Sequence, residues 1–155
     1  MVHVDYSQLN KLTIPLCFPM PNIESILDRL AGKSHYSTLD MMMGYHQWLV
    51  DESSIPLTAQ TGLYEYTRVP FGCMNAPNGF QQIMREILAS LDGQICEVYL
   101  DDIIIITGIN PEFLIKNIET VLQQLNKFQV IVKPSKCKFG MTAIEFLGHV
   151  INKDE

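Results

Sequence analysis

Residues 95–107 read ICEVYLDDIIIIT, and this stretch decides the fold. Two apolar runs, residues 95–100 and 103–107, flank the adjacent acids Asp101 and Asp102. Each run has the length and much of the β-branched content that is typical of a strand. Because the link between them is so short, the pattern predicts an antiparallel β-hairpin that carries both acids at its turn.

Further elements are predicted on both sides of this hairpin. Capping residues followed by an apolar stripe predict helices over residues 22–30 and 77–91, and a third helix that begins at Asn110–Pro111. A strand is predicted over residues 35–39 and ends at Asp40. Shorter extended pieces are predicted over residues 49–50, 57–60, 63–69, 130–132, 137–139 and 144–151. Two long helices beside several antiparallel strands indicate an α+β fold, with helices layered on one face of a sheet.

Composition and charge limit the classes of protein to which the chain can belong. With 155 residues, 47% of them hydrophobic and 18% charged, the chain has enough apolar material for one folded domain. The net charge of −6 argues against a surface that grips nucleic acid throughout, although four lysines cluster at positions 127, 133, 136 and 138. There is no apolar run long enough to span a membrane and no signal-peptide pattern, so we expect an intracellular protein.

The acids Asp101 and Asp102 interrupt an otherwise apolar segment. Adjacent carboxylates repel each other, and a cation that neutralises them makes such a pair easier to keep near a core. Asp40 also stands at the end of an apolar strand, and strands that deliver carboxylates to one sheet edge can build a two-cation site for phosphoryl transfer. The alternative is a solvent-exposed turn, in which aspartate is common.

Seven motifs occur in order along the chain and are spread from residue 4 to residue 149. They are VDYSQLNK (residues 4–11), PMPNIESILD (19–28), LDMMMGYHQ (39–47), PFGCMNAPNGFQ (70–81), YLDD (99–102), KPSKC (133–137) and FLGH (146–149). In these motifs the chain resembles the reverse transcriptase domain of Gypsy/Ty3-like long-terminal-repeat retrotransposons. The resemblance implies a palm-like antiparallel sheet with helices on one face, plus part of the fingers.

The resemblance also implies an activity, RNA-directed DNA polymerisation, in which a primer 3′-hydroxyl is extended by a two-metal mechanism with Mg²⁺ or Mn²⁺. The implied partners are an RNA or DNA template with its primer and deoxynucleoside triphosphates, with no membrane, in a cytoplasmic particle or the nucleus. The implied catalytic and metal-binding residues are Asp40, Asp101 and Asp102. The implied nucleotide-binding residues are Met41 (through its backbone carbonyl), Tyr45, Phe71 and Gly72. The implied primer-binding residues are Phe146, Leu147, Gly148 and His149, and Lys136 matches a general acid that protonates the leaving pyrophosphate.

The ends of the chain depart from the family pattern. An arginine that grips the triphosphate stands three residues before VDY in the family, which is the register of Met1, and the chain stops soon after His149. We therefore expect residues 1–155 to form a fragment of a polyprotein, with partial fingers and palm and without the thumb and RNase H domain. We also expect little primer extension from this chain alone, because positioning contributes much of such a rate.

Two other functions remain open at this stage. A truncated or domesticated remnant that acts as a non-catalytic interaction module would carry the same motifs. A phospho-acceptor signalling domain would also hold one Mg²⁺ among acids, but it uses parallel strands, whereas Asp101 and Asp102 lie in a tight hairpin. Without the resemblance, Tyr45, Phe71 and Phe146 are more typical of an apolar core than of a binding site.

Overall fold

The computed structural model describes residues 4–59, 64–107, 110 and 112–153, and within them the chain forms helices packed on antiparallel sheets. The helices are α1 (Ser7–Leu12), α2 (Ile23–Leu30), α3 (Ala76–Ile87) and α4 (Glu112–Lys127). The strands are β1 (His35–Asp40), β2 (Cys96–Tyr99), β3 (Asp102–Thr107), β4 (Lys138–Met141), β5 (Ala143–Phe146) and β6 (His149–Asn152). Short 3₁₀ helices lie at Gly44–Gln47, Glu52–Thr58 and Pro134–Lys136.

The main sheet has the strand order β2-β3-β1-β4, and each neighbouring pair is antiparallel. The hairpin predicted over residues 95–107 is therefore confirmed, with β3 beside both its partner β2 and the earlier strand β1. A second, two-stranded sheet is the antiparallel hairpin β5–β6. Because the described part of the main sheet is antiparallel throughout, it excludes the parallel sheet of a phospho-acceptor signalling domain.

The strand β3 is buried on both faces, which explains its run of four isoleucines. Side chains alternate across a sheet, so Ile103 and Ile105 pack on one face and Ile104 and Ile106 on the other. The first face is covered by α3 and α4, as the prediction of a helix layer requires. The second face is covered by α2 and by the β5–β6 hairpin, a layer that the sequence pattern did not predict.

Several predicted extended pieces are wrong. Residues 57–58 lie in a 3₁₀ helix, because the Asp51 side chain accepts a hydrogen bond from the Ser53 backbone at 3.0 Å and starts a helical turn. Residue 60 lies outside the described residues, as does residue 63. Over residues 64–69, the predicted strand is reduced to isolated bridge positions at residues 64 and 68, the second of which pairs with Leu49.

Other elements differ from the prediction in their bounds. α3 ends at Ile87 and not at residue 91, because residues 88–92 form turns in which the Asp92 backbone donates to the Leu88 carbonyl at 2.8 Å. The segment 130–132 makes only an isolated bridge, and the strand predicted over 137–139 begins at residue 138. The segment 144–151 divides into the two strands β5 and β6.

Two helix starts show how local side-chain contacts set element boundaries. The start predicted at Asn110–Pro111 agrees with α4, since the Asn110 side chain accepts from the Glu112 backbone at 3.0 Å, while Pro111 lies outside the described residues. α1 was not predicted; there the Asp5 side chain accepts from the Ser7 backbone at 2.9 Å. None of the helices in the described ranges is long and apolar enough to cross a membrane.

Candidate active site

Asp40, Asp101 and Asp102 lie together at one end of the main sheet. Asp40 is the last residue of β1 and stands directly opposite Asp102, the first residue of β3. Directly opposite residues of an antiparallel pair project to the same side, with Cβ atoms about 4.5–5.5 Å apart. Asp101 precedes Asp102 in the hairpin turn, so three carboxylates share a small region.

The Asp101 carboxyl packs against Gly44 and Phe80. A Cβ atom at Gly44 would lie 2.6 Å from Asp101 Oδ1 and 3.1 Å from the Phe80 ring, so any side chain at Gly44 would displace the carboxyl. Within the described part of the chain, Asp101 Oδ1 is buried and has no hydrogen-bond partner. A buried oxygen left without a partner destabilises the fold unless another group supplies the missing interaction.

The pKa values of Asp101 and Asp102 show that this cluster of acids lacks enough compensating positive charge. The loss of hydration raises the pKa of Asp101, and the negative charges of Asp102 and Asp40 raise it further. The pKa of Asp102 is raised by the partial loss of hydration and by Asp40. In both cases the Lys136 ammonium acts in the opposite direction. The folded chain therefore holds two carboxyls whose charged forms are disfavoured.

Lys136 is the cation that partly compensates this cluster. Its Nζ lies 3.0 Å from Asp40 Oδ2, and 56% of its side chain is exposed. Lys136 is the last residue of the 3₁₀ helix Pro134–Lys136. Just before this helix, the Lys133 backbone N–H donates to the Asp40 carbonyl at 2.8 Å, which ties the helix to the end of β1. The structure thus places the predicted general-acid residue against one of the predicted metal-binding acids.

No three His, Cys, Asp or Glu side chains in the described ranges converge as they would around a bound metal ion. The reason is visible in the contacts of the acids, because the Asp101 carboxyl lies beside Gly44 whereas the Asp40 carboxyl is paired with Lys136. The residues nevertheless fit Mg²⁺ in their chemistry, since they supply oxygen donors and one of these is buried without a partner.

Of the predicted nucleotide-binding residues, Tyr45 lies close to Asp101, and Phe71 packs against Tyr45. The Tyr45 ring packs edge-to-face against Phe71 and Phe80, with centroid distances of 5.2 and 5.1 Å. Burial raises the pKa of Tyr45, and the charge of Asp101 raises it further. Gly72 has a φ of +92°, a conformation that disfavours any other residue, and its carbonyl accepts from the Asn10 side chain at 2.9 Å.

The backbone around Met41 is arranged so that its carbonyl is not used by the neighbouring segment. Met41 forms a bridge with Val132, but the flanking hydrogen bonds run from Met42 to the Ile131 carbonyl and from Lys133 to the Asp40 carbonyl. The Met41 side chain is buried in the core. Because the side chain is buried, the backbone carbonyl is the group of Met41 that could contact a metal beside Asp40, as the sequence predicts.

The predicted primer-binding residues form the turn of the β5–β6 hairpin. Leu147 and Gly148 both have positive φ, +50° and +80°, as a two-residue hairpin turn requires, and both are exposed with His149. Phe146 is buried and contacts Tyr99 edge-to-face at 6.2 Å. A small cavity of about 140 Å³ separates this hairpin from the acids, and its lining includes Asp40, Asp102, Lys136 and Phe146.

Sequence reasoning missed two contacts of the acidic hairpin. Phe80 was predicted only as an inward residue of its helix, yet its ring lies beside the point where Gly44 and Asp101 meet. Gln81 is fully buried and bonds to the backbone of the hairpin at Val98 and Leu100. The signal was available, because Gln81 stands three residues before Met84 on the apolar stripe of α3, where an uncharged polar residue is unexpected.

Comparison with known proteins bears on the identity of these residues. The sequence profile of the reverse transcriptase (RNA-dependent DNA polymerase) family matches residues 1–151. The Pol polyprotein of transposon 297 from Drosophila melanogaster is 41% identical over 156 residues, which cover 99% of this chain and 15% of that protein. The Pol polyprotein of transposon gypsy from the same species is 36% identical over 154 residues, 97% of this chain and 15% of that protein.

The fold has a match among solved structures. The foamy viral protease-reverse transcriptase, solved in complex with an RNA/DNA hybrid, superposes with a TM-score of 0.86 at 26% identity, over 96% of this chain and 20% of that one. The motif-based resemblance and the α+β fold class are thereby confirmed. The chain spans about 15% of the length of the two polyproteins.

Proposed function

The chain belongs to the reverse transcriptase (RNA-dependent DNA polymerase) family, and from that premise we propose that its acids catalyse RNA-directed DNA synthesis. The reaction is nucleotidyl transfer from a deoxynucleoside triphosphate to a primer 3′-hydroxyl, within a retrotransposon polyprotein. The observation that carries this proposal is the buried, unpartnered oxygen of Asp101 beside the opposed pair of Asp40 and Asp102.

The three acids would hold Mg²⁺, or Mn²⁺ in its place, together with the backbone carbonyl of Met41. Bound there, the metal would lower the pKa of the attacking hydroxyl and neutralise charge on the departing pyrophosphate. For the acids to share a cation, the Asp101 carboxyl has to leave its contact beside Gly44, and the Lys136 ammonium has to release Asp40. The pKa values of Asp101 and Asp102 are raised by the loss of hydration and by nearby negative charge, and a bound cation would supply the missing positive charge.

Lys136 and the aromatic residues would bind and orient the nucleotide. Once released from Asp40, Lys136 Nζ is close enough to the acids to donate a proton to the leaving pyrophosphate. Tyr45 is fixed on two sides by Phe71 and Phe80, so its ring cannot easily move away from a sugar that binds beside Asp101. A rigid ring at that place would exclude a 2′-hydroxyl and favour deoxynucleotides. Phe71 and Gly72 would line the remainder of the nucleotide pocket.

The primer and template would lie across the exposed turn of the β5–β6 hairpin. Phe146 anchors this turn in the core and lines the small cavity together with Asp40 and Asp102, while Leu147, Gly148 and His149 are exposed. A primer end held there would reach the acids over the small cavity between the two hairpins. The RNA/DNA hybrid bound by the foamy viral protein supports a duplex as the partner. We place this reaction inside the cell, in a cytoplasmic particle or the nucleus, where RNA templates and nucleotides occur.

A non-catalytic interaction module is the second candidate. It is favoured by one observation, that no three potential ligands in the described ranges converge on a cation. In such a module the acids need no metal, and replacing them would leave metal binding unchanged.

One experiment separates the two candidates. Mn²⁺ binding to the chain is measured by electron paramagnetic resonance for the wild type, for Asp101→Asn and for the matched control Asp28→Asn, which removes an exposed carboxylate from α2. We expect Asp101→Asn alone to weaken binding. Primer extension on an RNA template is then measured after this chain replaces the matching segment of the foamy viral enzyme. Extension that survives Asp101→Asn as well as it survives Asp28→Asn would contradict the proposal.

A further inference from the structure

Gln81 is a buried polar residue that contacts the acidic hairpin without being one of the acids. It lies in α3, and its side chain is fully buried. Its Nε2 donates to the Val98 carbonyl at 3.0 Å, and its Oε1 accepts from the Leu100 backbone N–H at 2.5 Å. Both partners belong to the strand and turn that lead into Asp101.

The two hydrogen bonds are those that a neighbouring strand would make. β2 is an edge strand in the described sheet, so alternate peptide groups of β2 face away from β3. The Ile95 carbonyl faces β3, because it accepts from the Ile106 backbone at 2.9 Å. Peptide groups alternate in direction along an antiparallel strand, so the Val98 carbonyl and the Leu100 N–H face away from β3 and need other partners. A primary amide carries one acceptor and N–H donors, as a peptide group does. The Gln81 amide therefore makes the two hydrogen bonds to Val98 and Leu100 that the backbone of a neighbouring strand would otherwise make.

The second bond ends on a residue in an unfavourable conformation. Leu100 has a φ of +50°, in the left-handed region that is costly for a residue with a Cβ atom. Leu100 is followed directly by Asp101, so the direction of the Asp101 side chain depends on the turn that Leu100 makes. A relaxed turn would move the carboxyl away from Gly44.

We propose that Gln81 is a positioning residue, whose amide holds Leu100 in its left-handed conformation and thereby sets the place of the Asp101 carboxyl. Gln81 touches neither nucleotide nor primer in this role and acts through the backbone of the hairpin. The inference rests on the proposed function for its consequence, since the placement of Asp101 matters for metal binding only if Asp101 is a ligand. The placement itself is a property of the fold and can be measured without metal.

The main variant is Gln81→Met, which keeps the length of the side chain and removes the amide. Its matched control is Gln82→Met, on the same helix, where the side chain donates to the exposed Glu86 carboxylate at 2.9 Å and has no other hydrogen bond among the described residues. The first measurement is amide hydrogen exchange by NMR at Leu100, with the Ile106 amide as a reference inside the hairpin ladder. We expect exchange at Leu100 to become about tenfold faster in Gln81→Met and to stay unchanged in Gln82→Met.

The second measurement is Mn²⁺ affinity, with Mn²⁺ alone as the probe. We expect Gln81→Met to weaken it about tenfold, the scale found when a residue that supports a metal ligand is lost, and Gln82→Met to leave it at the wild-type value. A third variant, Gln81→Met with Leu100→Gly, distinguishes positioning from packing. Glycine adopts a positive φ without penalty, so this double variant should recover most of the lost affinity.

Gln81→Glu covers the case in which Gln81→Met does not fold. Its carboxylate still accepts from the Leu100 N–H, so we expect the Leu100 amide to keep its protection from exchange. Unprotected exchange at Leu100 in Gln81→Glu, or wild-type exchange there in Gln81→Met, would overturn the inference. Where Asp101→Asn weakens Mn²⁺ binding, equal Mn²⁺ affinities in Gln81→Met and Gln82→Met, or no recovery in the double variant, would also overturn it and leave Gln81 as a packing residue.

The failure of the proposed function has a different signature. If Asp101→Asn binds Mn²⁺ as tightly as the wild type, the metal site is refuted, and the exchange rate at Leu100 still decides whether Gln81 holds the turn. Faster exchange in Gln81→Met would then support the inference about the turn, and unchanged exchange would overturn it.

Discussion

Glu97 and Asp101 stand four residues apart on the same hairpin, and their carboxylates have opposite surroundings. Glu97 is only 2% exposed, and both of its oxygens are bonded by the Arg29 guanidinium, at 2.6 Å from Nε and 2.8 Å from Nη2. This planar, two-point contact is the strongest pairing that a carboxylate makes with a side chain. Asp101 Oδ1 is also buried but has no partner among the described residues, and two further acids stand near it.

The difference shows that Glu97 stabilises the fold through its ion pair, whereas Asp101 carries a buried charge that no neighbouring group in the described part of the chain neutralises. Glu97 and Arg29 join β2 to α2 and neutralise each other without any outside group. Asp101 has only the indirect help of Lys136, which is paired with Asp40. Functional sites are where such uncompensated groups are expected, because the missing charge arrives with a substrate or an ion. Four predictions test this comparison, starting with the largest expected effect.

Replacing Arg29 by methionine leaves Glu97 buried without its counter-ion. We expect the free energy of unfolding to fall by about 3 kcal/mol, the lower end for a broken buried pair, because 43% of the Arg29 side chain is exposed. The measurement is urea denaturation at pH 7. The control is Arg29→Met combined with Glu97→Leu, which removes both charges and should recover most of the loss. A change below about 1 kcal/mol in the single variant would show that Glu97 does not depend on its partner.

Mn²⁺ is expected to stabilise the wild-type chain through the unpaired acids. A ligand that binds only the folded state at ten times its Kd adds about 1.4 kcal/mol to the free energy of unfolding. We expect most of this gain to disappear in Asp101→Asn and to persist in Arg29→Met, because Arg29 belongs to the self-sufficient pair. Urea denaturation with and without Mn²⁺ measures it. Equal gains in the wild type and Asp101→Asn would remove Asp101 from the metal site.

Without metal, Asp101→Asn is expected to stabilise the chain at pH 8. The pKa of Asp101 is raised in the folded state, so between the unfolded and folded pKa values the folded chain binds more protons. Stability therefore falls as pH rises through that window, and asparagine removes this part of the loss. The gain should vanish below the usual aspartate pKa. Denaturation from pH 3 to 8 tests this, with Asp28→Asn as control, and a destabilised Asp101→Asn at pH 8 would contradict it.

Lys136→Met is expected to have the smallest effect on stability, about 0.5 kcal/mol, since its pair with Asp40 is half exposed. Its effect on titration should be clearer. Lys136 is the charge that lowers the pKa of Asp101 and Asp102, so both carboxyls should titrate at higher pH in the variant. Carbon-detected NMR titration measures this, with Lys127→Met as a control at the far end of α4. Unchanged titration of both acids would show that Lys136 does not act on the cluster.

The sequence predicted those parts of the fold whose cause is local. The hairpin over 95–107, the strand that ends at Asp40 and the helix of residues 22–30 follow from apolar periodicity and from caps, and the structure contains all of them. Within the described residues, the predictions failed where periodicity was weak, at residues 57–59 and 64–69. There a capping aspartate at position 51 and tertiary contacts decide the backbone, and short alternating segments do not distinguish a strand from a turn.

The site divides in the same way between sequence and tertiary structure. The sequence by itself determined the identity of the acids, their motifs and the family, because motif order depends only on residue type and spacing. Only the tertiary structure showed that Asp40 stands opposite Asp102, that Asp101 lies beside Gly44, and that Lys136 pairs with Asp40. It alone also showed that the Gln81 side chain accepts a hydrogen bond from the Leu100 backbone, directly ahead of Asp101. These contacts join residues far apart in the chain, and strand register and helix packing bring them together.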